Sequence, residues 1–360
     1  MSGVHRGIIV QPRYHGPNES LGLQPGVSVE FSLDQPGHLA GVLHLEPIPV
    51  VEDSLLPVLG ASLGIGVAAN LLRSEPSITT ITLCLAGRIH RQWREIATLF
   101  HHLSGVTFEF ETSFSDDPVA GPPGNVFLVS GGKDSLYALI HARKSQCLEG
   151  YPAIYLGQGS EINWRNEISQ VLRVADYFQV RLQHIRLYQM LVSSKIALRF
   201  ANRAVWRELV SLSLARCYGN HIFTGINDDA VARLDVTTPR SFDYLSQLIP
   251  TVRIMEQILG AKIETVPGEF EVYRDVREHQ LFDRSGSCLT PECGFPRLCA
   301  KCRTFNIYEM ILAGSQLSAD DIRFIHSDHF LGDASISSLY PSTVPAMEMK
   351  EVSNARQSLL

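Results

Sequence analysis

A chain of 360 residues is long enough for two domains, or for one large α/β domain with an extension. Its 45% apolar residues support a proper core, and 19% charged residues argue against wholesale disorder. A net charge of −6 leaves no basic footprint for nucleic acid, so a small substrate or a protein partner is expected instead.

The first charged residues are not followed by an apolar stretch, so no secretory signal is read there. Residues 27–32, 78–85 and 106–112 are β-rich, and in the last of these Val106, Phe108 and Phe110 share one face. Between them, residues 55–72 carry no charge and just reach the length of a membrane span. Pro57, Gly60, Gly64, Gly66 and Asn70 point rather to a buried helix with small residues at a close contact. Residues 1–118 are therefore expected to form a separate N-terminal α+β domain without a chemical motif. Residues 113–124, rich in Asp, Pro and Gly, read as a linker.

The most telling stretch follows. Residues 125–129 are a short apolar β-rich run after Gly121-Pro122-Pro123-Gly124, and Leu136, Leu139 and Ile140 begin a helical spacing. Between strand and helix lies Ser130-Gly131-Gly132-Lys133-Asp134-Ser135. Glycines permit close backbone approach, and helix-start N–H groups favour an anion. Ser130 and Ser135 would add hydroxyl donors, and Lys133 a point charge. The run is not a Walker loop, because the four residues between that motif's glycines are missing.

Strand and helix then alternate. Strands are expected at 153–156, 182–187, 221–224 and 262–266, with helices at 168–178, 197–218 and 242–259. This rhythm predicts a doubly wound parallel sheet with ligands at the carboxyl ends of its strands. The polar tail, 315–360, is expected to be partly disordered or docked on the surface.

Cysteine usage adds a second motif. Cys288, Cys293, Cys299 and Cys302 follow C-x4-C-x5-C-x2-C, a set that satisfies one tetrahedral zinc with no open position. Lys301 and Arg303 would offset the site's negative charge. A redox pair at Cys299 and Cys302 or an iron–sulfur cluster are the rivals. Cys84, Cys147 and Cys217 read as inert core residues, and the pattern fits a reducing cytoplasm.

The loop resembles the pyrophosphate loop, SGGxDS, of the N-type ATP pyrophosphatases (the HUP-like PP-loop fold). Together with the four-cysteine segment it is similar to 7-cyano-7-deazaguanine synthase and its relatives, over about residues 125–313. Tyr155-Leu156-Gly157-Gln158 with Glu161 resembles that family's YGQxHxxE, with Ser160 near its histidine. Gly225-Ile226-Asn227 matches its GxN, and Arg240 and Phe242 resemble its RPEF. Three departures stand out. Ala230 replaces an Asp, with Asp228 and Asp229 nearby; Phe200-Ala201-Asn202-Arg203 replaces PxRN; Tyr273 or Arg274 replaces a lysine. Relatives with an N-terminal extension are known from phage-defence gene clusters, so the resemblance also implies an antiviral role as an alternative.

The resemblance implies the reaction. Ser130, Gly131, Gly132, Lys133, Asp134 and Ser135 would hold ATP and its leaving pyrophosphate, with Lys133 and Asp134 catalytic and Asp134 holding Mg2+. Gln158, Asn202, Asn227, Asp228, Asp229, Arg240 and Phe242 would face a deazapurine carboxylate. Adenylation followed by attack of ammonia, or of a protein amine, forms a C–N bond and yields an amide or, with a second ATP, a nitrile. For Asp228 and Asp229, helix N-capping is an equal reading. A PP-loop peptidoglycan-precursor epimerase, a tRNA thiolase and a non-catalytic nucleotide-sensing scaffold are the alternatives. A homo-oligomer, or a protein partner on the N-terminal domain, is also expected.

Overall fold

The structure is a computed structural model. It describes residues 6–16, 24–33, 39–48, 52–74, 78–104, 106–157, 161–191, 206–227, 249–283, 299–327, 330 and 334–340. The chain divides into two units, Met1–Val266 and Pro267–Leu360.

The first unit opens on three antiparallel strands, β1 (Arg6–His15), β2 (Gly26–Leu33) and β3 (Leu39–Glu46). In β2, Val27, Val29 and Phe31 are buried while Ser28, Glu30 and Ser32 are half-exposed, the alternation of a strand with one core face. Helix α1 (Leu56–Ser74) leads to β4 (Ile78–His90), parallel to β1. Helix α2 (Trp93–Ser104) leads to β5 (Thr107–Ser115), parallel to β4. The expected buried helix is α1, and its glycines explain its closeness to the sheet. A Cβ on Gly60 would lie 2.4 Å from Pro12 Cγ, and one on Gly64 would lie 2.3 Å from Leu83 Cδ2. Among the described residues no helix is long and apolar enough to cross a membrane.

Alternation of strand and helix follows. The elements are β6 (Asn125–Leu128), α3 (Lys133–Ser145), β7 (Pro152–Gly157), α4 (Glu161–Phe178) and β8 (Arg181–Leu191). After them come α5 (Trp206–Arg216), β9 (His221–Asn227), α6 (Ile249–Leu259) and β10 (Lys262–Val266). Every residue of β7 is buried, as a central parallel strand requires. The helices expected at 197–218 and 242–259 are described only from Trp206 and Ile249 onward; their earlier parts lie outside the described residues.

All ten strands form one sheet in the order β10-β9-β6-β7-β8-β3-β2-β1-β4-β5. The result is an α/β protein with a large, mostly parallel central sheet. Strands β6 to β10 are mutually parallel, and their order reverses between β6 and β9, as in Rossmann-like sheets. Right-handed crossovers then carry α3 and α4 to one face and α5 and α6 to the other. The expected boundaries at 118 and 314 do not coincide with the two units. At 118 the reason is β3, which pairs antiparallel with β8 from Gly41↔Leu191 to Glu46↔Arg186 and makes the first strands part of the same sheet. Side chains from both halves accordingly share one core, from Val27 and Leu59 to Leu212 and Met255. Buried Ser62 of α1 and Ser213 of α5 meet there, hydroxyl to hydroxyl at 2.9 Å.

The segment read as a linker is fastened rather than loose. Val119 N donates to Ile258 O at 2.9 Å. The buried guanidinium of Arg216 reaches four carbonyls: Nε donates to Leu259 O (2.7 Å), Nη1 to Pro122 O (3.0 Å), and Nη2 to Val119 O and Gly121 O (3.2 Å each). Burial pulls its pKa down from the usual arginine range.

The second unit contains α7 (Glu269–Val276), α8 (Ala300–Leu312), α9 (Ala319–Ile325) and α10 (Ala334–Leu339). Its core is aromatic, with Tyr273 stacked on Phe305 at 4.8 Å and Tyr308 and Phe330 beside them. Phe324, Ile325, Phe330 and Ile336 are buried in it, so this part of the tail helps to build a core instead of lying on the surface.

Candidate functional site

The loop begins where β6 ends at the strand-order reversal, which is where ligands bind in open α/β sheets. Val129 N donates to Ile154 O at 2.9 Å, which carries the alignment of β6 with β7 up to Ser130. Gly131 has φ +70°, a left-handed conformation that a side chain would strain. A Cβ there would also lie 3.0 Å from Gln170 Cγ and 3.3 Å from Val171 N of α4. Gly132 is the N-cap of α3, and no side chain caps the helix. This end of α3 therefore presents backbone N–H groups and the positive pole of its dipole.

The two serines differ in role. Ser135 is buried; its hydroxyl donates to Gly132 O at 3.0 Å and accepts from Ser130 N at 3.2 Å. It closes the loop on itself. Ser130 is exposed, and its hydroxyl accepts from Gly132 N at 3.4 Å. Ser130 is thus the serine whose hydroxyl faces outward. Lys133, expected as a point charge for phosphate, is only 1% exposed and its ammonium rests on the Asp134 carboxylate. That carboxylate keeps 26% exposure at the first turn of α3.

Strand β9 brings the second motif alongside. A Cβ on Gly225 would lie 2.9 Å from Ser135 N and 3.0 Å from Asp134 Cβ, so only glycine lets β9 and the start of α3 approach this closely. Asn227, two residues on, is buried at the strand's carboxyl end. Ser130 to Ser135 and Gly225 to Asn227 are therefore gathered at one end of neighbouring strands. Gln158, Asn202, Asp228, Asp229, Arg240 and Phe242 lie outside the described residues.

Some neighbours were not foreseen. Gln170 packs against the loop from α4. One helical turn earlier, Glu167 accepts from the buried Tyr155 hydroxyl at 3.0 Å. The His184 ring lies 5.2 Å from Tyr155, and burial, followed by the charge of Arg186, lowers its pKa below 6.5. The spacing of Glu167 and Gln170 on one helix face was the available signal. Tyr273, one of the two positions expected to replace a lysine, is fully buried and donates to Glu309 at 2.6 Å. It is a core residue of the second unit. Arg274 is exposed and pairs with Glu271 and Asp275.

Of the four clustered cysteines, Cys288 and Cys293 lie outside the described residues. Cys299 is the N-cap of α8 and Cys302, three residues on, is buried in its first turn, which sets the pair on one side of the helix start. That spacing fits two ligands of a thiolate site. Arg303 is engaged elsewhere, with Asp320 at 2.6 Å and over Phe324 at 4.3 Å. Among the described residues no group of three or more His, Cys, Asp or Glu side chains could hold a metal. Purified protein is expected to contain about one zinc per chain, the stoichiometry of a four-thiolate site. Metal analysis checks this, and Cys302→Ala should remove the zinc and reduce soluble yield.

The remaining cysteines divide. Burial pushes the Cys217 thiol up to about 12, and burial with the Glu111 carboxylate does the same for Cys84. Both are held protonated. Cys147, expected in the core, is exposed, because it falls in the turn after α3 rather than on the helix's apolar face. Compared with models of known protein families and with curated proteins, the sequence matches none.

Proposed function

We propose that this chain is an ATP-dependent ligase of the PP-loop pyrophosphatase type. It adenylates a carboxylate with release of pyrophosphate and then forms a C–N bond, with 7-carboxy-7-deazaguanine as the substrate. The observation that carries the reading is the Ser130–Ser135 turn. It has a left-handed glycine, an uncapped helix start and an outward hydroxyl, all at the strand-order reversal.

Each residue has a task. The N–H groups at the start of α3 and the Ser130 hydroxyl hold the β- and γ-phosphates, and Ser135 fixes the turn. Asp134 is the carboxylate for magnesium, which when bound offsets charge on the phosphate oxygens. Lys133 orients that carboxylate and offsets its negative charge at the first turn. The substrate carboxylate attacks the α-phosphorus as the bond to the β-phosphate bridging oxygen breaks, and pyrophosphate leaves with that electron pair. A nitrogen nucleophile then displaces AMP from the acyl carbon and loses a proton. Asn227 and the motif residues Gln158, Asn202, Asp228, Asp229, Arg240 and Phe242 are assigned to the substrate side, and Cys288, Cys293, Cys299 and Cys302 to a structural zinc. A reducing, ATP-supplied cytoplasm suits both sites.

The test is incubation with ATP, magnesium and 7-carboxy-7-deazaguanine, with and without ammonium, followed by mass spectrometry. Carboxylate-dependent AMP and pyrophosphate are expected, with an amide or nitrile when ammonium is present. The departures at Ala230 and at 200–203 favour a protein amine as the acceptor. An adenylate that ammonium does not discharge would select that acceptor, and an acceptor protein would then gain the acyl mass. If the carboxylate provokes no ATP turnover, the deazaguanine assignment fails.

A further inference from the structure

Strand β5 ends the ten-stranded sheet, and among the described residues its one strand neighbour is β4. It is a nine-residue edge without proline or lysine, two usual guards against edge-to-edge pairing. Its side chains alternate. Phe108, Phe110 and Phe114 are half-buried on the side of α2, whereas Glu109, Glu111 and Ser113 are exposed on the other. Phe110 and Phe114 meet edge to face at 5.8 Å, and the Arg94 guanidinium lies 4.0 Å over the Phe114 ring. A groove of about 470 Å3 runs between α2 and β5, and among the described residues its lining comes from these two elements. It therefore lies at the rim of the sheet, where the side chains of an added strand would fall.

We propose that a second copy of this chain occupies this edge, with β5 pairing antiparallel to β5 about a two-fold axis at Thr112. The sequence of the strand selects the register. Paired residues in an antiparallel ladder share a face, so the axis must pass through a residue. An axis at Phe110 would oppose Glu109 with Glu111, and an axis at Glu109 or Glu111 would set a glutamate against itself. At Thr112, Glu111 faces Ser113 of the second copy, Glu109 faces Ser115, and Phe110 faces Phe114. No like charges then oppose each other, and aromatic meets aromatic. The rings of Phe110 and Phe114 from both copies gather at the axis, under the two α2 helices, and the groove in each copy is closed by the other.

Ser113 offers a test that leaves the core untouched, because it is exposed on the polar face. The full chain is followed by analytical ultracentrifugation over a dilution series. A dimer is expected, and Ser113→Lys should tighten it about fivefold, since it places an ammonium opposite Glu111 twice per dimer. Ser113→Glu should weaken it by about the same factor, with unfolding midpoints of both variants close to the parent. Opposite signs from the two substitutions are specific to this register. A chain that stays monomeric at about 100 μM overturns the proposal and leaves the edge to a strand from another protein. A dimer whose dissociation constant moves in the same direction with both variants, or with neither, overturns it equally.

Discussion

Asp134→Asn should lower pyrophosphate release by about 10²–10³-fold, the scale on which a single aligned charge-stabilising group acts. The fold should survive. Asparagine keeps an oxygen for the buried Lys133 ammonium, so the change removes charge from the phosphate end of α3 without orphaning a cation. Asp134→Ala should lose activity and stability together, because Lys133 is then left in the interior without that carboxylate. Gly225→Val reaches the same loss of activity by geometry. Its side chain would press on Ser135 N and Asp134 Cβ, which are backbone-anchored atoms that cannot swing aside. Pyrophosphate assays and thermal unfolding on all three variants separate the charge effect from the steric one. Undiminished release in Asp134→Asn would remove the pyrophosphatase assignment.

The largest effect on stability is expected at Arg216. Arg216→Ala leaves the carbonyls of Val119, Gly121, Pro122 and Leu259 without their donor in a buried setting. Buried hydrogen bonds to a charged group are costly to break, and the loss should be roughly 3–5 kcal/mol. Arg216→Lys should recover less than half, since an ammonium cannot span four acceptors that a planar guanidinium reaches. All three tryptophans, Trp93, Trp164 and Trp206, precede residue 267, so tryptophan fluorescence in a urea titration reports on the first unit alone. A midpoint unchanged in Arg216→Ala would show that residues 119–122 do not depend on this side chain.

What could be read from sequence was local. The loop, the α1 helix and the strand at Lys262–Val266 all announce themselves within a few residues. Strands β1 and β3 did not. Pro12 interrupts the first, and β3 buries His44 and Glu46 beside Leu43 and Leu45, so neither shows a clean two-residue period. Helix α9 did carry a signal, the capping box in which Ser318 and Asp321 exchange side-chain to backbone bonds at 3.1 and 3.2 Å. The approach of Gly225 to Asp134 depends on β9 inserting beside β6, a fact of topology that no spacing along the chain encodes. Arg216 was illegible for the same reason, because its acceptors lie in segments far apart in sequence.

The antiparallel seam between β3 and β8 has a consequence for biosynthesis. β3 leaves the ribosome long before its partner, since Gly41 must wait for Leu191. Throughout that interval the early hairpins present a raw hydrogen-bonding edge, and closing it requires a distant, slowly formed pairing. Cutting the gene between the two halves would make this transient state permanent, and each fragment would carry an edge suited to pairing with the next molecule.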